Sequence, residues 1–442
     1  MLDVQAQPRK RTAGRFLAGS LLIALLVGAV LGALVLLQEK KSGDSELVGV
    51  WRQVQTDLAN DDLDQAQANL RRCLEAWPFH AEAHFLLALV LRRGDDLAGW
   101  QKHLRTAEAL QWSPEEIARE RLCARAQSGD VWAVETELTS YLRTAGSDEA
   151  LVREALIRGY LATRRLDEAI AGAEVWMERA PADWRPYFYR GQAYQDGRLL
   201  DRAVADYRRA LERKPSQAKV RLVMADVLAL DRHYAPALEA YQEVLHARPG
   251  DAEALFGVAH CRYFLGQKDE ARKVLDELLA AQPGNVKACY LRGLLAKDAG
   301  DFPEALAWLR KTEGLAPHKP DVTAALAQVL GQLGEAEEAR KYEAKLQELQ
   351  ERQEALDKLR RRVRAEPTNV TLRFEAGQAC LALGRDDEAG NWFQSVLRLD
   401  PDHRPTHKVL ADYFARLGNA QRAAYHRQRA EGKPANPPPE GP

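Results

Sequence analysis

Ten histidines and five cysteines are the residues of this 442-residue chain with the most obvious chemistry. His80 and His84 stand four apart, as do His403 and His407, a spacing that lets two imidazoles on one helix face share a metal ion. Each pair straddles a loop and a helix start, however, and neither has a third ligand at helical spacing, so no metal is expected. Cys73, Cys123, Cys261, Cys289 and Cys380 are odd in number, widely spaced and form no C-x-x-C pair; that argues against a disulfide framework and for buried packing roles. No phosphate-cradling glycine loop, nucleophile elbow or zinc-protease helix occurs. Carboxylates are plentiful but fall at exposed helix positions, and no acid–base pair stands out. The chain is read as neither an enzyme nor a cofactor protein. The chemistry left is recognition, by rings with polar neighbours four residues on: Phe188 with Gln192, Phe256 with His260, Phe374 with Gln378, and alongside them Asp226, Tyr263 and Tyr290.

The elements that carry these residues show in the prolines. Pro181, Pro215, Pro249, Pro283 and Pro317 lie 34 residues apart, as do Pro367 and Pro401. With each proline at position 32 of a 34-residue unit, position 20 is always alanine: Ala169, Ala203, Ala237, Ala271, Ala305, Ala339, Ala389 and Ala423. Position 8 is small, as in Gly191, Ala225, Ala259, Gly293, Ala327, Gly377 and Ala411. Position 24 is large in most units, as in Tyr207, Tyr241, Leu275, Leu309 and Phe393. Helices pack closely only where side chains are small, with large residues filling the gaps beside them. Gly197, Gly266, Gly300, Gly334, Gly384 and Gly418 mark the turn within each pair, glycine being able to leave a helix at positive φ without strain. Each unit is therefore helix, turn, helix, proline loop.

Small at 8, small at 20, large at 24 and proline at 32 resembles the tetratricopeptide repeat. The resemblance implies an all-α, right-handed solenoid of helical hairpins whose first helices line a concave, ligand-binding face through positions 2, 5, 9, 12 and 13. Phe188, Gln192, Asp226, Phe256, His260, Tyr263, Tyr290, Phe374 and Gln378 fall at such positions and are the candidate partner-binding residues. Aromatic rings supply rigid contact area and amides pair with a bound backbone; the alternative is that the rings pack against the next first helix. The lysine and asparagine pattern with which the family holds a C-terminal carboxylate is absent. Eleven units start near residues 47, 81, 115, 150, 184, 218, 252, 286, 320, 370 and 404. The first three, over 47–149, are degenerate, with Trp100 and Val134 where alanine is expected; units over 150–319 and 370–431 are regular. Between them, 320–369 holds a unit with 16 extra residues. No proline or glycine interrupts 335–366, and Leu349, Leu356 and Val363 keep an apolar stripe there, with Leu346 and Leu359 beside it, so one long or slightly kinked helix must bury that stripe against a neighbouring hairpin or a partner.

Upstream, Phe16 to Leu37 is a run of 22 residues with no charge, about 33 Å long as a helix and enough for a hydrocarbon core of about 30 Å. It lacks a signal-peptide cleavage pattern and is read as an uncleaved transmembrane anchor in contact with the lipid bilayer. Residues 1–15, with Arg9, Lys10, Arg11 and Arg15, are assigned to the cytoplasm by their positive charge, and the bulk to the outer face of the inner membrane. Ala24, Gly28 and Gly32 present a small-residue face through which a homodimer could form. Residues 38–46 are a linker, and 432–442 a proline-rich tail without the apolar residues to fold. With 63 basic and 64 acidic residues, no net field favours nucleic acid. The sequence thus predicts a membrane-anchored scaffold for protein or peptide ligands; the alternative is an accessory subunit of an envelope polysaccharide or protein export machine.

Overall fold

A computed structural model describes residues 47–144 and 149–434. The expected anchor at Phe16–Leu37, the segments flanking it and the residues beyond Pro434 lie outside these ranges. Among the described residues there is no strand, and no helix is long and apolar enough to cross a membrane. The chain forms two compact units divided between Tyr141 and Leu142.

The first unit contains α1 (residues 47–59), α2 (Leu63–Ala76), α3 (Ala81–Arg93), α4 (Leu97–Ala109), α5 (Pro114–Arg125) and all but the last three residues of α6 (Val131–Thr144), with a π-helical turn at Ala126–Asp130. Its core joins Val54, Leu70, Cys73, Leu87 and Val90. Arg92 is fully buried with Glu120 and donates from Nε at 2.5 Å and from Nη2 at 3.2 Å, a bidentate arrangement that leaves neither charge unpaired.

The second unit runs through α7 (Glu149–Ala162), α8 (Leu166–Arg179), α9 (Arg185–Asp196), α10 (Leu200–Arg213), α11 (Ala218–Leu230), α12 (Tyr234–Ala247), α13 (Ala252–Phe264), α14 (Lys268–Ala281), α15 (Val286–Asp298), α16 (Phe302–Leu315), α17 (Pro320–Gln332), α18 (Ala336–Ala365), α19 (Val370–Ala382), α20 (Asp386–Leu399), α21 (Arg404–Arg416) and α22 (Ala420–Ala430). Consecutive helices pack as antiparallel neighbours, the arrangement of a helical-hairpin solenoid. The closest approach within a hairpin pairs position 8 with position 24. A Cβ on Gly191 would sit 2.6 Å from the Tyr207 ring, one on Gly377 2.6 Å from the Phe393 ring, and one on Gly293 3.0 Å from Leu309. Tyr207, Leu309 and Phe393 are in turn buried, as are all the position-20 alanines.

The turn inside each hairpin corrects one sequence expectation. Gly197 stays at φ −77°, and it is Arg198 that takes φ +64°. Position 15 carries the positive φ in every hairpin: Asp61, Asp95, Gly129, Arg164, Arg198, Arg232, Gly266, Gly300, Gly334, Gly384 and Gly418. These residues recur every 34 positions apart from one interval of 35 and one of 50, so a single backbone register runs through both units even where side chains have drifted. The 50-residue interval is filled by α18, one continuous helix of 30 residues. Leu349 at its middle and Leu356 on its second half join Ala376, Cys380, Leu383 and Phe393 of the following hairpin. Arg352 donates to the Ala382 carbonyl at 3.2 Å, and Arg360 pairs with Glu388 at 2.5 Å. The stripe is covered within the chain.

The two histidine pairs have a shared structural use. His80 and His403 cap α3 and α21, each accepting from a backbone N–H through Nδ1. His84 Nε2 donates to the Pro78 carbonyl at 3.0 Å, which leaves its Nδ1 to accept from His103 Nδ1 at 2.9 Å. His407 repeats this with Pro401 at 2.9 Å and His426 at 2.8 Å. In both, the accepting ring, His84 or His407, must be unprotonated at Nδ1. Burial first, then the facing His84, Lys102 and Arg71, pushes His103 down to about 4; burial, His407 and Arg422 do the same to His426. A histidine whose value is lower folded than unfolded contributes stability that is complete above its unfolded value near 6.5 and drains as the pH falls toward 4.

Two outcomes follow. Amide protection in α21 and α22 should fall between pH 7 and pH 4.5, and replacing His407 and His426 together by leucine should remove that dependence in hydrogen exchange of the hairpin. In denaturant unfolding, Gly377→Val should cost about 1–3 kcal/mol by overpacking against Phe393, whereas Gly390→Ala in α20, where a Cβ meets nothing within 4 Å, should gain up to about 1 kcal/mol of helix propensity.

Candidate functional site

The candidate residues divide between the interior and one open groove. Phe188 is 5% exposed, its ring spent on Trp184, Tyr189 and Tyr207 at centroid distances of 5.8, 5.3 and 5.9 Å; it belongs to the core, because Gly191 one turn on lets the Tyr207 ring in beneath it. Gln192 beside it is half-buried. Phe374 is half-buried against Phe393 and His403, and Gln378 is exposed. The structure thus brings neither pair into the groove.

Asp226, Phe256, His260, Tyr263 and Tyr290 do come together, on the first helices α11, α13 and α15. A cavity of about 800 Å³ between α11 and α13 is lined by Asp226, Phe256 and His260, with Tyr234, Phe264 and Lys287. A second, of about 340 Å³, continues it between α13 and α15, lined by Phe256, His260, Tyr263, Tyr290 and Leu294 and closed by Lys319 and Asp321 at the start of α17. They share Phe256, His260, Phe264 and Lys287, so the two form one groove. Both fall in the size range of ligand clefts.

The rings are held by one another. Phe264 is 50% exposed and stacks on Tyr234 at 4.7 Å with an interplanar angle of 6°. His260 stands edge-on to Phe264 at 4.8 Å and beside Phe256 at 5.7 Å, and Tyr263 is edge-on to Phe264. Edge-on and offset contacts orient rings without burying their outer faces. Tyr263 is fixed from behind by donating to Asp298 at 2.8 Å, with Lys268 on the same carboxylate at 3.2 Å. On the opposite wall, Tyr241 donates to Asp226 at 2.6 Å. Desolvation by the surrounding walls still raises the Asp226 carboxyl above its ordinary range, and burial lowers His260, which is therefore a neutral ring at physiological pH. Lys287 lies 5.7 Å from the Phe256 centroid.

Sequence reasoning missed Tyr234, Phe264, Lys287 and Lys319. Phe264 is at position 13 and Lys287 at position 2, both lining positions of the repeat, so the signal was present. Tyr234 lies on a second helix, and its stacking on Phe264 with an edge-on contact to His260 brings it to the groove. Among the described residues no group of three or more His, Cys, Asp or Glu side chains is placed to hold a metal ion, and all five cysteines are buried and unpaired with one another.

Models of the tetratricopeptide repeat family match residues 228–295, and separately 52–99, 188–252 and 346–404. No curated protein sequence matches the chain. Among solved structures it is similar to PilW, a widely conserved type IV pilus biogenesis factor, at 24% identity over 46% of this chain and 94% of that one, with a TM-score of 0.41. It is similar to MamA from Desulfovibrio magneticus RS-1 at 20% identity over 38% and 95% of the two chains, TM-score 0.35. A third, YrrB, a protein of this repeat type with an unusual peptide-binding site, shares 20% identity over 40% and 92%, TM-score 0.33. With helical hairpins in one 34-residue register and family matches along both units, this chain is a tetratricopeptide repeat protein.

Proposed function

We propose that the chain is a non-enzymatic scaffold that binds a protein or peptide partner along the α11–α15 groove. The observation that carries this reading is the run of open ring faces, Tyr234, Phe264, Phe256 and Tyr290, in one continuous cleft. Rings that only filled a core would be enclosed, as Phe188, Tyr207 and Phe393 are. An exposed aromatic surface is costly to leave in water and marks an interaction site. A repeat array suits the task, since its stability comes from neighbour contacts and leaves the inner face free to vary.

In the same reading the apolar run Phe16–Leu37 anchors the scaffold in the cytoplasmic membrane, with the repeats on the outer face. There it would gather the components of an envelope complex, or serve as the accessory subunit of a polysaccharide or protein export machine.

Detergent co-purification supplies the partner with which the groove is tested. Phe264→Ala combined with Tyr290→Ala should weaken that partner's binding at least tenfold while the helical circular dichroism is unchanged, each aromatic anchor being worth about 1–2 kcal/mol; unchanged affinity, or loss of helix, would overturn the assignment. Orientation is tested by a periplasm-active reporter fused after Pro442, which should be active; a silent fusion in an intact, expressed chain would place the repeats in the cytoplasm.

A further inference from the structure

Resting on the groove as a binding surface, we infer that its ligand is a proline-rich extended segment in the polyproline II conformation, and that residues 434–442 of a second copy of this chain supply one. Three properties of the groove select this chemistry.

Hydrogen-bonding capacity comes first. The Tyr290 hydroxyl, the His260 ring and the ammonium groups of Lys287 and Lys319 have no hydrogen-bond or ion-pair partner among the described residues. The second cavity therefore offers donors beside flat apolar faces. A polyproline II strand makes no internal hydrogen bonds, so its carbonyls are all available, and each proline removes an N–H that would otherwise need an acceptor there. A helix or a strand carries the reverse problem into the cleft, with carbonyls already spent or N–H groups left over.

Spacing is the second property. Phe256 and Tyr290 occupy the same position in successive units, on first helices that pack side by side. Packed helices are about 8–10 Å apart, and one turn of polyproline II advances about 9 Å in three residues. Residues i and i+3 of such a strand therefore meet equivalent rings of adjacent units, and residue i+6 meets the next unit, whose equivalent residue is the small Ala324 and whose Lys319 stands five residues before it at the helix N-cap. In Pro434-Ala-Asn-Pro437-Pro-Pro-Glu440-Gly-Pro that face reads Pro434, Pro437, Glu440. Two prolines fall on two rings, and the acid on the lysine. Asp321, on the same lip as Lys319, confines the incoming carboxylate to the lysine side.

Reach is the third, and it decides that the contact is between copies. Pro434 follows the end of α22 at Ala430 by four residues, at most about 14 Å of extended chain. The groove lies four hairpins earlier, about 30–40 Å of stacked helices away. A segment that cannot reach its own groove reaches that of a neighbour. The contact joins two different patches, the tail of one copy and the groove of another.

The test uses the full detergent-solubilised chain and a fluorescent peptide of residues 432–442. Titrated with a chain whose own tail carries Pro437→Ala, Pro438→Ala and Pro439→Ala, the peptide should bind by anisotropy. Binding should weaken at least tenfold when the peptide carries the same three substitutions, and likewise when the chain also carries Tyr290→Ala. A peptide with Glu440→Lys should lose several-fold and recover it on a Lys319→Glu chain. In sedimentation, groove-variant and tail-variant chains should pair when mixed beyond whatever either does alone. Equal binding of the proline-free peptide, or no recovery in the charge exchange, would overturn the proline segment and leave the groove standing. Failure of every peptide while Tyr290→Ala still weakens the co-purified partner would do the same. If neither peptide nor partner responds to Tyr290→Ala in a chain of unchanged circular dichroism, the groove itself is refuted.

Discussion

Most regular hairpins of this protein close on one contact, a small residue at position 8 of the first helix beneath a large one at position 24 of the second. Gly191 with Tyr207, Gly293 with Leu309 and Gly377 with Phe393 leave no room for a Cβ or leave it only at the limit of contact. Interiors are packed as densely as organic crystals, so this approach fixes how far apart the helices lie and how they cross. Position 20, an alanine in all the regular hairpins, continues the same constraint one turn before the large residue. Once the spacing of a hairpin is set, the next must stack on it in the same way, and the first helices come to line one wall.

The groove is a consequence of that wall. Because hairpin geometry is carried by positions 8, 20 and 24, residues at 5, 9, 12 and 13 are released from packing duty and can be rings, amides or charges without disturbing the fold. That freedom is used unevenly. Around α9 the position-5 ring, Phe188, is drawn into the core by three aromatic neighbours. Around α13 the rings lean on one another instead, Phe264 on Tyr234 and His260 between Phe264 and Phe256, and their outer faces remain open. Of the polar groups around them, Tyr263 and Asp226 are paired, with Asp298 and Tyr241, while the Tyr290 hydroxyl, Lys287 and Lys319 face the cleft unspent.

The buried polar elements follow another logic. The histidine pairs His84–His103 and His407–His426 are built on the same loop geometry in two hairpins far apart in sequence. In each, a proline-loop carbonyl fixes the tautomer of one ring and so forces the other to donate. They join loop to hairpin through buried rings that resist protonation, which ties the stability of these hairpins to pH in a way the leucine and alanine contacts do not.

The all-helical hairpin fold was legible in the sequence because its constraint is local and periodic. A close approach needs a missing side chain, a missing side chain is a residue type, and 34-residue spacing repeats it until chance is excluded. The turn was only partly legible. Glycine marks position 15 from Gly266 onward, but Arg164, Arg198 and Arg232 hold the same positive φ, a conformation imposed on them by the packed helices at either side rather than by their own preference. Only the tertiary structure decided that the stripe of α18 is covered by α19 and α20, since an apolar stripe states that it must be buried and not by what. It also decided which rings face outward. Phe188 and Phe256 occupy the same position and are the same residue, and what separates a core ring from a groove ring is the set of side chains that neighbouring helices bring against it.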